Sequence, residues 1–154
     1  MNRAVVDYRQ ALTSLGIGHE VFTHPYLVSP EEVQKYLGKT VADCVASLVM
    51  KADDHFILIL KKGDDRLDFK KIKKALKISD LRFATKEEFE KLTGLPFGAA
   101  RPYIPNLPTY IDPAVFSREF LNGGTGSFTE TFRYRTADLK KIPGASVLEA
   151  CQNP

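Results

Sequence analysis

The run from Gly94 to Pro105, Gly-Leu-Pro-Phe-Gly-Ala-Ala-Arg-Pro-Tyr-Ile-Pro, can do chemistry without any reactive side chain. Glycine lets a ligand approach the backbone because no side chain stands in the way. Prolines on either side fix φ and stiffen the chain, so its amides are aimed before a ligand arrives. Such amides can hydrogen-bond a carbonyl oxygen as it becomes an oxyanion. The same composition also suits a proline-rich crossover that merely joins two elements, and residue types alone weigh the two readings evenly. A second run, Asn122-Gly123-Gly124-Thr125-Gly126-Ser127, is equally double-sided, because Asn-Gly is also a favoured turn dipeptide. Asp112, ahead of Pro113, and Arg101 are polar candidates nearby, with a turn former and a surface charge as their plain alternatives.

Side-chain catalysis has less support. His19, His24 and His55 are scattered and form no ligand pattern, so no metal is expected. Cys44 and Cys151 belong to no Cys-x-x-Cys spacing and read as reduced, buried thiols. No Ser/His/Asp or Cys/His set stands out. No Walker A or Gly-x-Gly-x-x-Gly precedes a helix, which argues against nucleotide hydrolysis and dinucleotide redox chemistry. No cofactor is expected.

The elements that must position these loops are legible in part. Val5, Tyr8, Leu12 and Leu15 form one helical stripe over residues 3–15, with Gly16 as its stop. His19 to Thr23 alternates as a strand. Ser29-Pro30-Glu31-Glu32 opens a helix through a capping box and proline at its first position, ending near Gly38. Val45 to Lys51 and Phe56 to Leu60 are strands joined by Ala52-Asp53-Asp54. The continuous apolar run of the second predicts cover on both faces. Asp68 caps a helix to Leu76, and Thr85-Lys86-Glu87-Glu88 is a capping box for a helix stopping at Gly94. Leu95 to Pro108 should be irregular, and long irregular stretches in compact domains are often functional. Thr109 to Ile111 reads as a short strand and Phe128 to Arg135 as an alternating one. Thr136-Ala137-Asp138 starts a short helix, and Ser146 to Ala150 is a helical turn or a strand. Helices and strands interleave without a regular βαβ series, so the expected class is α/β of mixed type, a mixed sheet or barrel with peripheral helices.

The chain of 154 residues is expected to be one domain over residues 1–154. It holds no apolar run of the roughly 18 residues a membrane helix needs, and its start carries no signal-peptide stretch. A cytoplasmic protein without membrane association is the expectation. Net charge is +3 with pI near 8.8, compatible with a polyanionic partner. Lys61-Lys62 and Lys70, Lys71, Lys73 and Lys74 make a dense basic segment, equally explained as a solvated helix face.

The order of segments resembles the YbaK-type aminoacyl-tRNA deacylases, a family that includes the inserted editing domain of bacterial prolyl-tRNA synthetases. The resemblance is carried by Val21-Phe22-Thr23-His24-Pro25, the Ser29-Pro30-Glu31-Glu32 helix, Ser47-Leu48-Val49, and Arg66-Leu67-Asp68-Phe69-Lys70-Lys71. It continues through Leu92-Thr93-Gly94 with Gly98-x-x-x-Pro102, Tyr110-Ile111-Asp112, Asn122-Gly123-Gly124 and Ala137-Asp138-Leu139. It implies the fold of that family and hydrolysis, in trans, of the ester joining a wrong amino acid to the terminal adenosine of a tRNA. The implied partners are the aminoacylated tRNA 3′ end and an aminoacyl-tRNA synthetase. By the same resemblance the Gly98 and Ala99 amides orient the ester carbonyl, and water attacks it with help from the substrate's own ribose hydroxyl. Asn122, Gly123 and Gly124 line the pocket, Phe22 fills a wall position, and Ala46, Ser47, Arg101, Pro102, Asp112 and Ser127 complete the expected substrate contacts.

One position departs from that pattern. Relatives commonly carry a lysine just before the Thr/Ser-Leu-Val strand motif, and Ala46 stands there in this chain. Lys51 lies an odd number of strand positions away and points to the opposite face. Two alternatives therefore accompany hydrolysis: a domain that binds tRNA ends or other nucleic acid without cleaving, and reuse of the scaffold for a small ligand or a protein.

Overall fold

A computed structural model describes residues 2–153. Helix α1 (Arg3–Leu15) buries Val5, Tyr8 and Leu12, is capped by the Asn2 side chain and ends on left-handed Gly16. Strand β1 (His19–Thr23) follows. Helix α2 (Pro30–Tyr36) opens on Ser29, whose hydroxyl accepts from the Glu32 amide at 3.1 Å, so half of the expected capping box forms. Strands β2 (Val45–Ala52) and β3 (His55–Lys62) make the longest hairpin, turning through Asp53 and Asp54 with Asp53 at φ 52. Asp68 caps α3 (Phe69–Leu76) as its position predicts. Beyond come β4 (Leu81–Phe83), α4 (Lys86–Thr93), β5 (Thr109–Ile111), β6 (Phe120–Gly123), β7 (Glu130–Arg135) and β8 (Ala145–Val147).

These strands form two sheets, with orders β1-β7-β6 and β4-β2-β3-β5-β8. The first is antiparallel, whereas the second mixes antiparallel pairs around β2 with parallel pairs around β5. A parallel bridge between Cys44 and Asn122 links the two. This is the mixed α/β arrangement with peripheral helices that the sequence leads one to expect. No helix among the described residues is long and apolar enough to cross a membrane.

Strand β3 explains how the parts hold together. Its residues Ile57, Leu58, Ile59 and Leu60 are all fully buried. Leu58 and Leu60 face the larger core with α1, Phe132 and Tyr134, while Ile57 and Ile59 face a second core with Met50, Ile72 and Ala150. A side-chain period of two thus assigns alternate residues of one strand to two cores.

Three features were not visible in the residue pattern. Asn122 and Gly123 belong to β6 rather than to the turn, and the next strand starts at Glu130 rather than Phe128. Gly123 is tolerated in a strand because a Cβ there would meet Val45 at 2.9 Å and Tyr134 at 3.0 Å. Strand β4 has three half-buried or exposed residues and is defined only by its partner β2.

Helix α4 matters most for the loop that follows. Thr85 and Glu88 complete a reciprocal capping box, and Gly94 ends the helix in the left-handed region. The Arg82 guanidinium makes a two-pronged bond to the Glu88 carboxylate at 2.7 and 2.9 Å, and the Thr85 amide adds a third at 2.8 Å. These bonds, the arginine's first, hold the Glu88 carboxyl down at about 2, against an ordinary 4.5. A depressed acid stabilises the fold above its ordinary pKa and loses that contribution as pH falls through the folded value. The stability gap between the wild type and Glu88→Gln, measured by urea unfolding, should therefore be constant above pH 4.5 and shrink between 4.5 and 2. A pH-independent gap would contradict this.

Candidate active site

A cavity of about 530 Å³ opens where the Phe97–Ala100 segment, the Gly123–Ser127 turn and the outer edge of β2 meet. That size suits a small-molecule site, for which roughly 300–1,000 Å³ is usual.

Pro96 to Ala99 is a tight turn closed by the Ala99 amide donating to the Pro96 carbonyl at 3.0 Å, with Gly98 third at φ 92. A positive φ at that place is the requirement of a type II turn, met most readily by glycine. Space is not the reason, since a Cβ on Gly98 would meet Phe128 and Val28 only at 3.9 Å. The closure engages the Ala99 amide inside the turn. Within Phe97 to Ala100, the Phe97 amide donates to Glu90 and those of Gly98 and Ala100 have no acceptor among the described residues.

The second loop is pressed against the first. A Cβ on Gly124 would lie 2.0 Å from the Ala100 carbonyl oxygen, so only glycine permits this approach. The Gly124 carbonyl accepts from the Tyr134 hydroxyl at 2.5 Å, Tyr134 bonds the Tyr8 hydroxyl at 2.9 Å, and the Tyr103 amide donates to Tyr8 at 3.4 Å. Burial raises the pKa of both phenols, so they remain donors across the ordinary pH range. Arg101 closes the clamp. Its guanidinium stacks over the Tyr8 ring at 4.1 Å and donates to the Thr125 carbonyl at 3.0 Å.

The third wall is an unpaired strand edge. β4 pairs with β2 only over Met50 to Ala52, and the Val49 carbonyl accepts from Ala84 on the same side. Alternation then turns the Ser47 amide and carbonyl toward that open edge. The Ser47 hydroxyl oxygen is buried and has no partner among the described residues. Such a group calls for a ligand or water, because an unsatisfied buried hydroxyl costs about 1–3 kcal/mol.

His24 and the two cysteines do not supply a free nucleophile or base. His24 lines the cavity with its Nδ1 on the Pro25 carbonyl at 2.8 Å and its Nε2 on the Thr131 hydroxyl at 2.9 Å. A carbonyl only accepts, so Nδ1 carries the proton and Nε2 is occupied by Thr131. The Cys44 thiol donates to the Val41 carbonyl at 3.1 Å, and burial pushes it up to about 11. It is protonated at neutral pH and a poor nucleophile. Cys151 is likewise free and buried. Asp65, Asp112 and Cys151 place ligand atoms within 4.8 Å of one another. Asp112, however, gives its oxygens to the Ala114 and Ala150 amides, and burial first, then Asp112, pushes the Cys151 thiol up to about 12.

Of the residues expected from sequence, Ala46, Ser47, Gly98, Ala99, Gly123, Gly124 and Ser127 line the cavity. Phe22, Arg101, Pro102, Asp112 and Asn122 lie outside the lining. Arg101 clamps the two loops, Asp112 ties down the C-terminal segment, and buried Asn122 donates to Gln34 at 3.1 Å. Aromatic cover comes from His24, Phe97 and Phe128. Gln34 was not singled out in the sequence, and Lys61 was read there only as part of a basic segment. Counting the hairpin register would have found Lys61, which sits opposite Ala46. None of the lysines of α3 reaches the cavity.

Residues 24–142 match the aminoacyl-tRNA editing domain family. The chain is 35% identical over 122 residues to a proline–tRNA ligase of Caldicellulosiruptor bescii and 31% identical over 124 residues to that of Bacillus licheniformis. Each alignment takes in 79% of this chain but only 21% of the ligase, so the chain spans about a fifth of those relatives' length. Among solved structures, that of a candidate trans-editing enzyme for prolyl tRNA synthetase superposes with a TM-score of 0.86 at 26% identity, covering 99% of both chains. With the family matched over most of its length and the fold shared end to end, this chain belongs to the aminoacyl-tRNA editing domain family.

Proposed function

We propose that the protein hydrolyses, in trans, the ester linking a misattached amino acid to the terminal adenosine of a tRNA. The observation that carries this is the rigid turn at Gly98. It offers two amides, of Gly98 and Ala100, that have no acceptor among the described residues, beside a cavity whose histidine and thiol are engaged elsewhere. In this reading those amides hold the ester carbonyl and stabilise the oxyanion as water attacks, and Ala99 serves by closing the turn. Removing one such donor typically costs about 10²–10³ in rate. The ribose hydroxyl of the substrate assists the water, which fits a site whose histidine and thiol are both engaged. Ser47 meets a polar group of the aminoacyl end with its free hydroxyl and edge amide, and Gly123, Gly124 and Ser127 form the facing wall. Asn122 contributes through Gln34, and Asp112 and Arg101 by holding segments in place. The acting partner is the aminoacylated tRNA 3′ end, with a synthetase able to supply it, in the cytoplasm where translation occurs.

Purified protein should release amino acid from at least one member of a panel of mischarged tRNAs faster than a heat-inactivated control. Intact mass after rapid quench should show no aminoacyl adduct on the protein. Binding of the tRNA with no release anywhere in the panel would instead support the non-hydrolytic alternative, and an adduct would overturn water attack.

The contact between loops gives a sharper expectation. Gly124→Ala places a methyl on the Ala100 carbonyl, so the Ala100 amide must shift. Misplacement by about 1 Å can cost ~10²-fold. The variant should keep its fold by circular dichroism and lose kcat/KM by about that factor. Unchanged kcat/KM would mean that the Ala100 peptide does not hold the substrate.

A further inference from the structure

Lys61 lines the cavity and has no part in the reading above. It pairs directly with Ala46 across the β2–β3 hairpin. Directly opposed residues in an antiparallel pair project from the same face, with Cβ atoms about 5 Å apart. The lysine stem therefore runs beside the small Ala46 methyl, and a larger residue at 46 would compete for that space. Among the described residues lining the cavity, Lys61 is the one lysine or arginine.

Its charge is also unspent. The ammonium donates to the carbonyls of Gly63 at 3.1 Å and Lys62 at 3.4 Å. It pairs with no carboxylate among the described residues, whereas the adjacent Lys62 is paired with Asp64 at 2.6 Å. Two carbonyls take up two of the three ammonium protons and leave one donor and the net charge for an anion. Lys61 is half-buried, a setting in which such a charge is screened less than on an open surface.

We propose that Lys61 binds the phosphate of the substrate's terminal nucleotide, and that its pairing with Ala46 leaves it the room to do so. This rests on the editing reading. The substrate side would be an RNA 3′ end whose phosphate enters beside Ala46 while the ester reaches the Gly98 turn. Losing a phosphate contact made equally in the ground and transition states raises KM and leaves kcat alone.

The test compares Lys61→Met, which keeps the stem, with Lys61→Arg, which keeps the charge. Steady-state deacylation and binding of a CCA-ended RNA minihelix at several salt concentrations are the readouts. Lys61→Met should raise KM about 10- to 100-fold at constant kcat, the usual range for a hydrogen bond to a charged group. Its log Kd against log salt slope should fall by about 1, a change that a merely structural role would not produce. Lys61→Arg should stay within about threefold of the wild type, a difference under 1 kcal/mol. Adding Ala46→Lys to Lys61→Met returns an ammonium to the same face and should recover most of the KM and the salt slope. An active wild type with unchanged KM and slope in Lys61→Met would overturn the assignment of Lys61 alone. A wild type that neither deacylates any tRNA nor binds the minihelix would bring down the editing reading, and the role of Lys61 with it.

Discussion

The approach of Gly124 to the Ala100 carbonyl is the constraint on which the cavity depends. At 2.0 Å from a would-be Cβ, the two loops are closer than any side chain permits, so glycine is obligatory there. The chain of hydroxyls from Tyr8 through Tyr134 fixes the other end of the Gly124 peptide. Because α1 carries Tyr8 and β7 carries Tyr134, the core between the sheets sets the position of a surface turn. Arg101 adds a second tie by linking the Tyr8 ring to the Thr125 carbonyl. A proline-rich segment without regular structure thereby becomes as fixed as the elements around it.

The hairpin of β2 and β3 sets the other half of the geometry. Alternate β3 residues enter two cores, so a one-residue slip of the hairpin would send each set into the core packed for the other. That fixed register places Ser47 at an open edge and Lys61 across from Ala46. The β2 edge stays open because β4 is short and because Cys44 bridges to β6 just before the gap. An unpaired edge is ordinarily a liability. Here the cavity lies over it, and a bound ligand can supply the missing partners.

Much of this was legible in the residues. The caps at Asp68 and Thr85, the stop glycines 16 and 94, and the doubly buried β3 all follow from local rules that tertiary context did not override. The loop around Gly98 announced itself by composition. What composition could not show was which amide stays free, because that depends on the turn closing between Ala99 and Pro96. Arg101 looked like a candidate contact and acts as a clamp, since its partners lie about a hundred and about twenty-four residues away in sequence. Asp112 likewise found distant Ala150. Long-range pairing also decided β4, β6 and β8, whose three or four residues are too few for periodicity to speak.

The proposed hydrolysis depends on the Gly98 and Ala100 amides receiving the ester carbonyl. Backbone amide NMR of the wild-type protein, titrated with an amide-linked, non-hydrolysable aminoacyl-adenosine, tests it most directly. The largest shifts should fall on Gly98 and Ala100, with smaller ones on Ser47 and Gly124 and little at Ala99. Saturable binding that leaves the Gly98 and Ala100 resonances in place would contradict it.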